Sequence, residues 1–322
     1  MQEVTVVIPN YNGKHYLKTC LESLENQAGG RPEVILVDNG SEDGSCEYLA
    51  ADFPWVQVIA LSENTGFCHA VNVGIWHSKT PFVLLLNNDT EAAPEFIREM
   101  TEGIKSHPMA FSCGAQMLMF QERDKIDDAG NFYNALGWAF ARGKGKAALD
   151  YQTESKIFAS CGGAAIYRKE ILDEIGLFDE LHFAYLEDID IGYRARIHGY
   201  ENWYLPHAVV YHVGSGTSGS RYNLFKIRYS SRNNVYMLYK NMPIVQLILN
   251  LPFLIPGFAA KLVFFATKGY GKEYAAGIKN GITLSLEGKK AGKKVKFRPK
   301  NILSYLKIQV ELWANIVRKL CN

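Results

Sequence analysis

Cysteine is scarce in this chain and never clustered: Cys20, Cys46, Cys68, Cys113, Cys161 and Cys321 stand apart, with no CxxC pair. That excludes zinc-ligand spacing and a framework of close disulfides, and it fits reduced thiols in a reducing compartment. Neither a basic segment nor a long apolar run follows Met1-Gln2-Glu3, so no signal peptide is expected and a cytoplasmic location is. No internal repeat is present. Acidic residues are missing from one end. Residues 201–322 hold only 4 Asp and Glu against 19 Lys and Arg, whereas residues 1–200 hold 29 against 16. The net charge of +2 therefore conceals an acidic half, suited to a cation, and a basic half, suited to something anionic. With 48% hydrophobic and 21% charged residues over 322 positions, the chain can build a full core. Disorder, collagen-like repeats and a small disulfide scaffold are excluded, and about two domains, or one large domain with an appendage, are expected.

What is there reads as an α/β protein. Val4 to Ile8 is a β-branched run closed by Pro9, a buried strand with a hard stop. Tyr16, Leu17, Cys20, Leu21 and Leu24 share a helical face after it. Further strands are expected over 33–37, 56–61 and 82–86, with helices opening at Thr65-Gly66 and Pro94. Strand and helix alternating at these lengths predict a mainly parallel, Rossmann-like sheet flanked by helices. Ligands of such sheets lie beyond the carboxyl ends of the strands. One edge therefore gathers Asn10, Tyr11, Asp38, Asn39, Asn87 and Asp89. The middle of the chain adds a strand over 158–167 interrupted by Gly162-Gly163, a helix over 187–198, and a last strand over 203–211. That strand ends at His212 and a Gly/Ser-rich loop.

Each polar cluster has a plain reading and a chemical one. Asn87-Asn88-Asp89 is either a strand-to-helix turn or a strand-end carboxylate holding a divalent cation against a diphosphate. Glu187-Asp188-Ile189-Asp190 is either an acidic helix start favoured by the helix dipole or a crowd of carboxylates with a raised pKa, one of them a base. On a helix Glu187 and Asp190 share a face and Asp188 points elsewhere, while Asp190 and Arg194 are spaced to pair. His212 is either a hydrogen-bonded structural residue or a metal ligand. Asp38 either closes an Asx-turn or accepts a ring N–H such as that of a pyrimidine.

The order of these clusters decides between the readings. Pro9-Asn10-Tyr11-Asn12, Val37 to Ser41, Glu63 to Phe67, Leu86 to Asp89, Gly162-Gly163-Ala164, Glu187-Asp188, His212 and Arg232-Asn233-Asn234 together resemble the family 2 glycosyltransferases of the GT-A fold. The resemblance runs from residue 4 to about 242, and it is nearest to the bacterial rhamnosyltransferase-like branch. It implies that Pro9 to Tyr11 and Asp38 hold the nucleotide base, Asp38 accepting the pyrimidine N3–H. Gly66 and Asn72 would line the base and ribose pocket, and Asn88 belongs to the same nucleotide-binding set. Asn87 and Asp89 occupy the outer positions of the family's DXD motif, Asp89 as cation ligand, with His212 completing the metal site. Asp188 matches the general base, Glu187 would orient it or the acceptor, and Gly162-Gly163 would form a bend. Asn87 departs from the family, because an amide is a weaker cation ligand than a carboxylate. Mn²⁺ or Mg²⁺ is expected, with weak affinity in the absence of nucleotide, and the nitrogen ligand favours Mn²⁺.

The activity so implied is an inverting single displacement from a nucleoside-diphosphate sugar to a hydroxyl of a lipid-linked saccharide in bacterial surface polysaccharide synthesis. The first choice of donor, dTDP-L-rhamnose, comes from the resemblance alone. A UDP-hexose or UDP-N-acetylhexosamine transferase is the runner-up. A polyprenyl-phosphate sugar synthase keeps the fold and needs no strong base, and a non-catalytic nucleotide-sugar-binding scaffold is the reading from another class.

The expected organisation is a catalytic domain over 1–225, with a nucleotide-binding half at about 1–110 and an acceptor half at about 111–225, then a basic helical region over 226–322. The apolar stretch 247–266 is long enough for a bilayer at ~20 residues. Pro252, Pro256, Asn250 and Lys261 favour a broken, interfacial or re-entrant helix pair over a span or a packed soluble pair. The basic run 289–300 suits an anionic membrane surface, at ~1 kcal/mol per charge, or is a solvated linker. Nucleic acid is discounted, since no regular aromatic–basic interleaving accompanies the run. Leu303, Leu306, Val310, Trp313, Val317 and Leu320 form one stripe of an amphipathic helix for the membrane or for a homodimer. A peripheral enzyme on the inner face of the cell membrane is expected.

Overall fold

The computed structural model describes residues 3–214 and 223–321; the Gly/Ser-rich segment from Ser215 lies outside the described residues. The first half alternates β1 (Val4–Asn10), α1 (Lys14–Glu25), β2 (Glu33–Asp38), α2 (Ser45–Asp52), β3 (Gln57–Ala60), α3 (Phe67–His77), β4 (Phe82–Leu86), β5 (Thr90–Ala92) and α4 (Phe96–Ser106). The middle holds β6 (Ala110–Met119), β7 (Ile126–Asp128), β8 (Asn131–Tyr133), β9 (Ala139–Ala141), β10 (Ser155–Ile157), β11 (Ala164–Arg168), α5 (Lys169–Ile175), α6 (Glu187–Ile197) and β12 (Glu201–His212). Four helices end the chain: α7 (Leu224–Asn241), α8 (Ile244–Thr267), α9 (Gly271–Lys290) and α10 (Ile302–Cys321).

The sheet runs β10-β12-β6-β11-β4-β1-β2-β3, with β5 on β12 and β7 on β6. β1, β2, β3 and β4 are parallel, β11 is inserted antiparallel between β4 and β6, and β12 lies parallel to β6. The mainly parallel α/β architecture is therefore as expected. One face packs on α1 and α4 through Leu17, Leu21, Phe96 and Met100. The other packs on α3, α5 and α6 through Val71, Ile75, Leu172 and Ile191.

Three local readings are corrected. Pro9 does not stop β1: the strand continues to Asn10, with Pro9 opposite Val37 of β2. Pairing with β4 has already ended at Val7, so the missing N–H leaves no gap in that ladder. The strand expected over 158–167 is only β11, because β10 ends at Ile157 and residues 158–163 form a loop. The apolar stretch is not a broken pair but one continuous helix, α8, with Pro252 and Pro256 inside it. Both prolines sit on its exposed side, so the carbonyls they leave unpaired are not sealed in a core.

α8 is turned inside out. Its buried positions are Gln246, Asn250, Leu254 and Gly257, while Ile244, Val245, Ile255 and Val263 are each more than 60% exposed. α10 repeats the pattern. Tyr305, Ile308, Gln309, Leu312 and Asn315 are buried, and every member of the apolar stripe from Leu303 to Leu320 is exposed. The helices meet through polar groups: Asn250 Nδ2 donates to Gln309 Oε1 at 2.8 Å and Gln309 Nε2 to Asn250 Oδ1 at 2.9 Å.

Candidate active site

The ends of β1, β2 and β4 are tied by a polar relay. Asp38 Oδ2 accepts from Asn10 Nδ2 at 2.8 Å, and Asn10 Oδ1 accepts from Asn88 Nδ2 at 2.7 Å. Asp38 Oδ1 accepts from the Ser41 amide at 2.9 Å, so the turn reading of Asp38 is realised. The carboxylate is 1% exposed and stands behind the site rather than on its wall. Pro9, Asn10, Tyr11, Asn88 and Asp89 do line it, at one end of a cleft of about 1180 Å³.

Gly66 lines the same cleft with φ +89°, and a Cβ there would stand 2.6 Å from the Phe183 ring. Only glycine lets that ring approach. Asn72 does not reach the cleft. Its amide donates to Phe178 O at 2.8 Å and Glu180 Oε1 at 3.0 Å, and its oxygen accepts from Phe178 N at 3.0 Å. It is a buried brace for the 178–180 loop, not a wall of the ribose pocket.

Asp89 and His212 come together because β5 pairs with β12, setting Thr90 opposite His212. His212 Nε2 lies 3.3 Å from Asp89 Oδ1, and its Nδ1 lies 2.7 Å from Asp127 Oδ2. Burial opposes charge on the ring, but hydrogen bonds to the two carboxylates outweigh it and lift His212 to about 9. Asp127 also pairs with Lys144. It lies in the three-residue strand β7, too short for periodicity to mark it in the sequence.

Glu187 and Asp188 open α6 and both line the cleft, while Asp190 turns away from it. The expected pair of Asp190 with Arg194 forms, Arg194 Nε lying 3.0 Å from its carboxylate. The shared face with Glu187 does not, because Asp190 is also engaged by Lys240 Nζ at 2.8 Å and Asn241 Nδ2 at 2.7 Å, away from the cleft. Burial works against Asp190's charge, but Lys240 and Arg194 prevail and hold it far below the usual carboxylate range. Among the described residues Asp188 has no cation paired with it. Its Oδ2 accepts from Asn131 Nδ2 at 2.8 Å and its Oδ1 from the Ile189 amide at 2.7 Å. Burial raises it to about 6, and burial with the Asp188 charge raises Glu187 to about 8.

These carboxylates are presented by strained backbone. Phe183, Tyr185 and Leu186 all have positive φ, between 62° and 71°. Such residues cost on the order of 1–3 kcal/mol each and persist only where surroundings enforce them. The enforcement comes from α7. Arg232 donates to the carbonyls of Leu181 and His182, and Asn233 Nδ2 lies 2.7–2.9 Å from those of His182, Ala184 and Tyr185. Asn234 fixes the facing hairpin, donating to Gly137 O at 2.8 Å and accepting from Tyr133 Oη at 2.7 Å. Arg232-Asn233-Asn234 thus clamps both walls around Asp188.

Residues 5–176 match the family model Glycosyl transferase family 2. The chain belongs to that family. It is a glycosyltransferase of the GT-A fold. It is similar to the N-acetylglucosaminyl-diphospho-decaprenol L-rhamnosyltransferase of Mycobacterium tuberculosis, 24% identical over 238 residues, 66% of this chain and 77% of the relative. It is also similar to glycosyltransferase GlyG of Streptococcus pneumoniae, 28% identical over 134 residues, 41% of this chain and 39% of that one. Among solved structures, S. aureus TarS 1–349 in complex with UDP-GlcNAc aligns with TM-score 0.57 and 17% identity, over 92% of this chain and 94% of that one. The mannosyltransferase PcManGT from Pyrobaculum calidifontis, in complex with GDP-Man and Mn²⁺, aligns with TM-score 0.54 and 17% identity, over 91% and 88%.

For a family 2 transferase the donor set can be tested against a divalent cation. Among the described residues no group of three or more His, Cys, Asp or Glu side chains is arranged to hold one. The pair Asp89 and His212 still fits, because one carboxylate and one imidazole edge face each other. Asp127 on the far ring nitrogen is the carboxylate–histidine arrangement that orients imidazole ligands. Asn87 lines the same wall, its amide packed so closely on Gly163 that a Cβ there would stand 3.0 Å from Nδ2. Such a set suits a cation that draws its remaining ligands from a diphosphate and water.

Proposed function

We propose that this family 2 enzyme is an inverting transferase moving a sugar from a nucleoside-diphosphate donor, with dTDP-L-rhamnose the first choice, to a hydroxyl of a lipid-linked saccharide in bacterial surface polysaccharide assembly. The observation that carries the proposal is that Asp188, raised by burial and held by Asn131, lines the same cleft as Asp89 and His212. The name of the mycobacterial relative supports both the rhamnosyl donor and the lipid diphosphate acceptor.

In this reading Pro9, Asn10, Tyr11, Asn88 and Gly66 receive the nucleotide, and Asp38 sets the Asn10 amide that meets it. Asp89 and His212 hold Mn²⁺ or Mg²⁺ with help from Asn87, and that cation supplies charge neutralisation on the departing diphosphate. Asp188 takes the proton of the acceptor hydroxyl during attack, a contribution on the order of 10²–10⁴-fold. Glu187, mostly protonated near neutral pH, orients the acceptor without repelling Asp188. The catalytic part, expected over 1–225, is extended by α7, whose Arg232, Asn233 and Asn234 hold the walls of the cleft, and α8, α10 and the basic run 289–300 form the part that meets the membrane.

The membrane side rests on α8 and α10. Their outward residues, among them Ile248, Leu249, Leu306 and Val310, are exposed and apolar, well beyond scattered surface hydrophobes. Lys289, Lys290, Lys296 and Arg298 are exposed nearby in the chain, the composition that favours an anionic leaflet. The enzyme is read as peripheral on the inner face of the cell membrane, with its cleft supplied from the cytoplasm.

Calorimetric titration with dTDP and with UDP, each with Mn²⁺ and with EDTA, tests the donor end. Metal-dependent preference for dTDP supports the rhamnosyl reading. Preference for UDP moves the donor to a hexose or N-acetylhexosamine. Binding of neither sinks the nucleotide-site assignment.

A further inference from the structure

The cleft does not end at Asp188. Beyond the β8–β9 hairpin it is lined by Lys261 and Phe265 of α8 and Tyr274 of α9. Lys261 projects from the most apolar helix of the chain, yet among the described residues no carboxylate pairs with it. Its Nζ stands over the Trp138 ring, 6.0 Å from the centroid. Trp138 is itself locked, its Nε1 donating to Gly257 O of α8 at 3.0 Å. Tyr274 is 3% exposed, and its hydroxyl has no hydrogen-bond partner among the described residues. A half-buried ammonium without a counter-charge and a buried phenol without a partner are both costly unless a ligand in the cleft that both line reaches them.

We propose that Lys261 and Tyr274 form an anion subsite in this cleft that takes the diphosphate of a lipid-borne acceptor. The inference rests on the acceptor reading above and locates it. Both groups donate hydrogen bonds, so the ligand is an anion with several acceptor oxygens. The next residues of α8, Leu262, Val263 and Phe264, are exposed and apolar. A lipid chain leaving the diphosphate therefore meets an apolar surface at once. On the other side, the hairpin bearing Trp138 also bears Asn131, the donor to Asp188. Asn131 lies about three strand residues from the hairpin turn, roughly 10 Å, which leaves room for a saccharide between the anion and the carboxylates.

The test uses the full chain with nucleotide and Mn²⁺ saturating, so that the donor end is occupied. Decyl diphosphate is titrated calorimetrically, beside inorganic pyrophosphate and decyl maltoside. The wild type is expected to bind decyl diphosphate most tightly. Lys261→Met is expected to weaken it at least tenfold, Tyr274→Phe several-fold, and Lys261→Arg to retain most of the affinity. Equal binding to Lys261→Met, no binding by the wild type, or pyrophosphate bound as tightly as the lipid would each overturn the proposal. A transfer assay with a lipid-linked saccharide separates the two readings. Transfer with a KM indifferent to Lys261→Met overturns the subsite and spares the function. Lys261-dependent binding without any transfer to a lipid-linked saccharide supports the subsite and overturns the acceptor reading.

Discussion

Asn131 Nδ2 donates to Asp188 Oδ2 at 2.8 Å, joining a three-residue strand to the first turn of α6. No other side chain among the described residues donates a hydrogen bond to Asp188. The ionisable groups that its charge influences, Glu187, Asp128, Cys161 and Tyr167, carry no positive charge.

With Asp188 as the proposed base, this bond is expected to set the acid limb of the pH profile. Asp188 acts as a base only when ionised, so transfer falls as pH drops through about 6. Asn131 stabilises the ionised form. Asn131→Ala therefore shifts the limb upward, by about one unit if the bond contributes ~1.4 kcal/mol. A plot of log kcat/KM against pH checks this, and a downward shift or an unmoved limb contradicts it.

In the proposed cation site Asp127 is expected to act through His212, whose Nδ1 it meets at 2.7 Å. Asp127→Asn removes the carboxylate that orients the ring, and effects of this kind are about 10–100-fold in metal affinity. The Mn²⁺ concentration giving half-maximal nucleotide binding should rise accordingly, with EDTA-resistant nucleotide binding unchanged. An unaltered Mn²⁺ requirement would remove His212 from the cation site.

Asn233→Ala should release the segment of left-handed residues ahead of Glu187. Its amide lies against three carbonyls, so a loss of about 1–3 kcal/mol is expected, together with a fall in kcat and little change in nucleotide affinity. Chemical denaturation and steady-state rates measure the two effects. A stability loss with wild-type kcat would show that the clamp is purely structural.

How far the sequence reaches depends on the element. The buried strands β1, β2 and β4 and the polar residues at their ends were legible, because a β-branched run and a polar turn are local signals. The meeting of Asp89 with His212 is not local, since it needs β5 to fold back on β12. Asn131 and Asp127 sit in strands too short to show a period. α9 was hidden by its glycines. Gly277, Gly281 and Gly288 face α7 so closely that a Cβ at Gly281 would stand 2.5 Å from Arg232 O. In α10 the visible apolar stripe is the outer face, and the buried face mixes Gln309 and Asn315 with Ile308 and Leu312. Periodicity detects an apolar stripe but not which way it points.

That outward stripe carries its own prediction. Leu306→Glu with Val310→Glu changes two exposed positions, so the fold and nucleotide binding should persist. Co-sedimentation with anionic vesicles should be lost, and wild-type binding should weaken with salt and on neutral vesicles. If the substitutions instead split a dimer and leave vesicle binding intact, the stripe is a protein interface.

The central claim is that Asp188 deprotonates an acceptor hydroxyl, and Asp188→Asn tests it most directly. The account predicts transfer reduced by at least 10²-fold, with dTDP or UDP binding and its Mn²⁺ dependence retained. Normal turnover in Asp188→Asn contradicts the claim and would point to an acceptor, such as a phosphate, that needs no base.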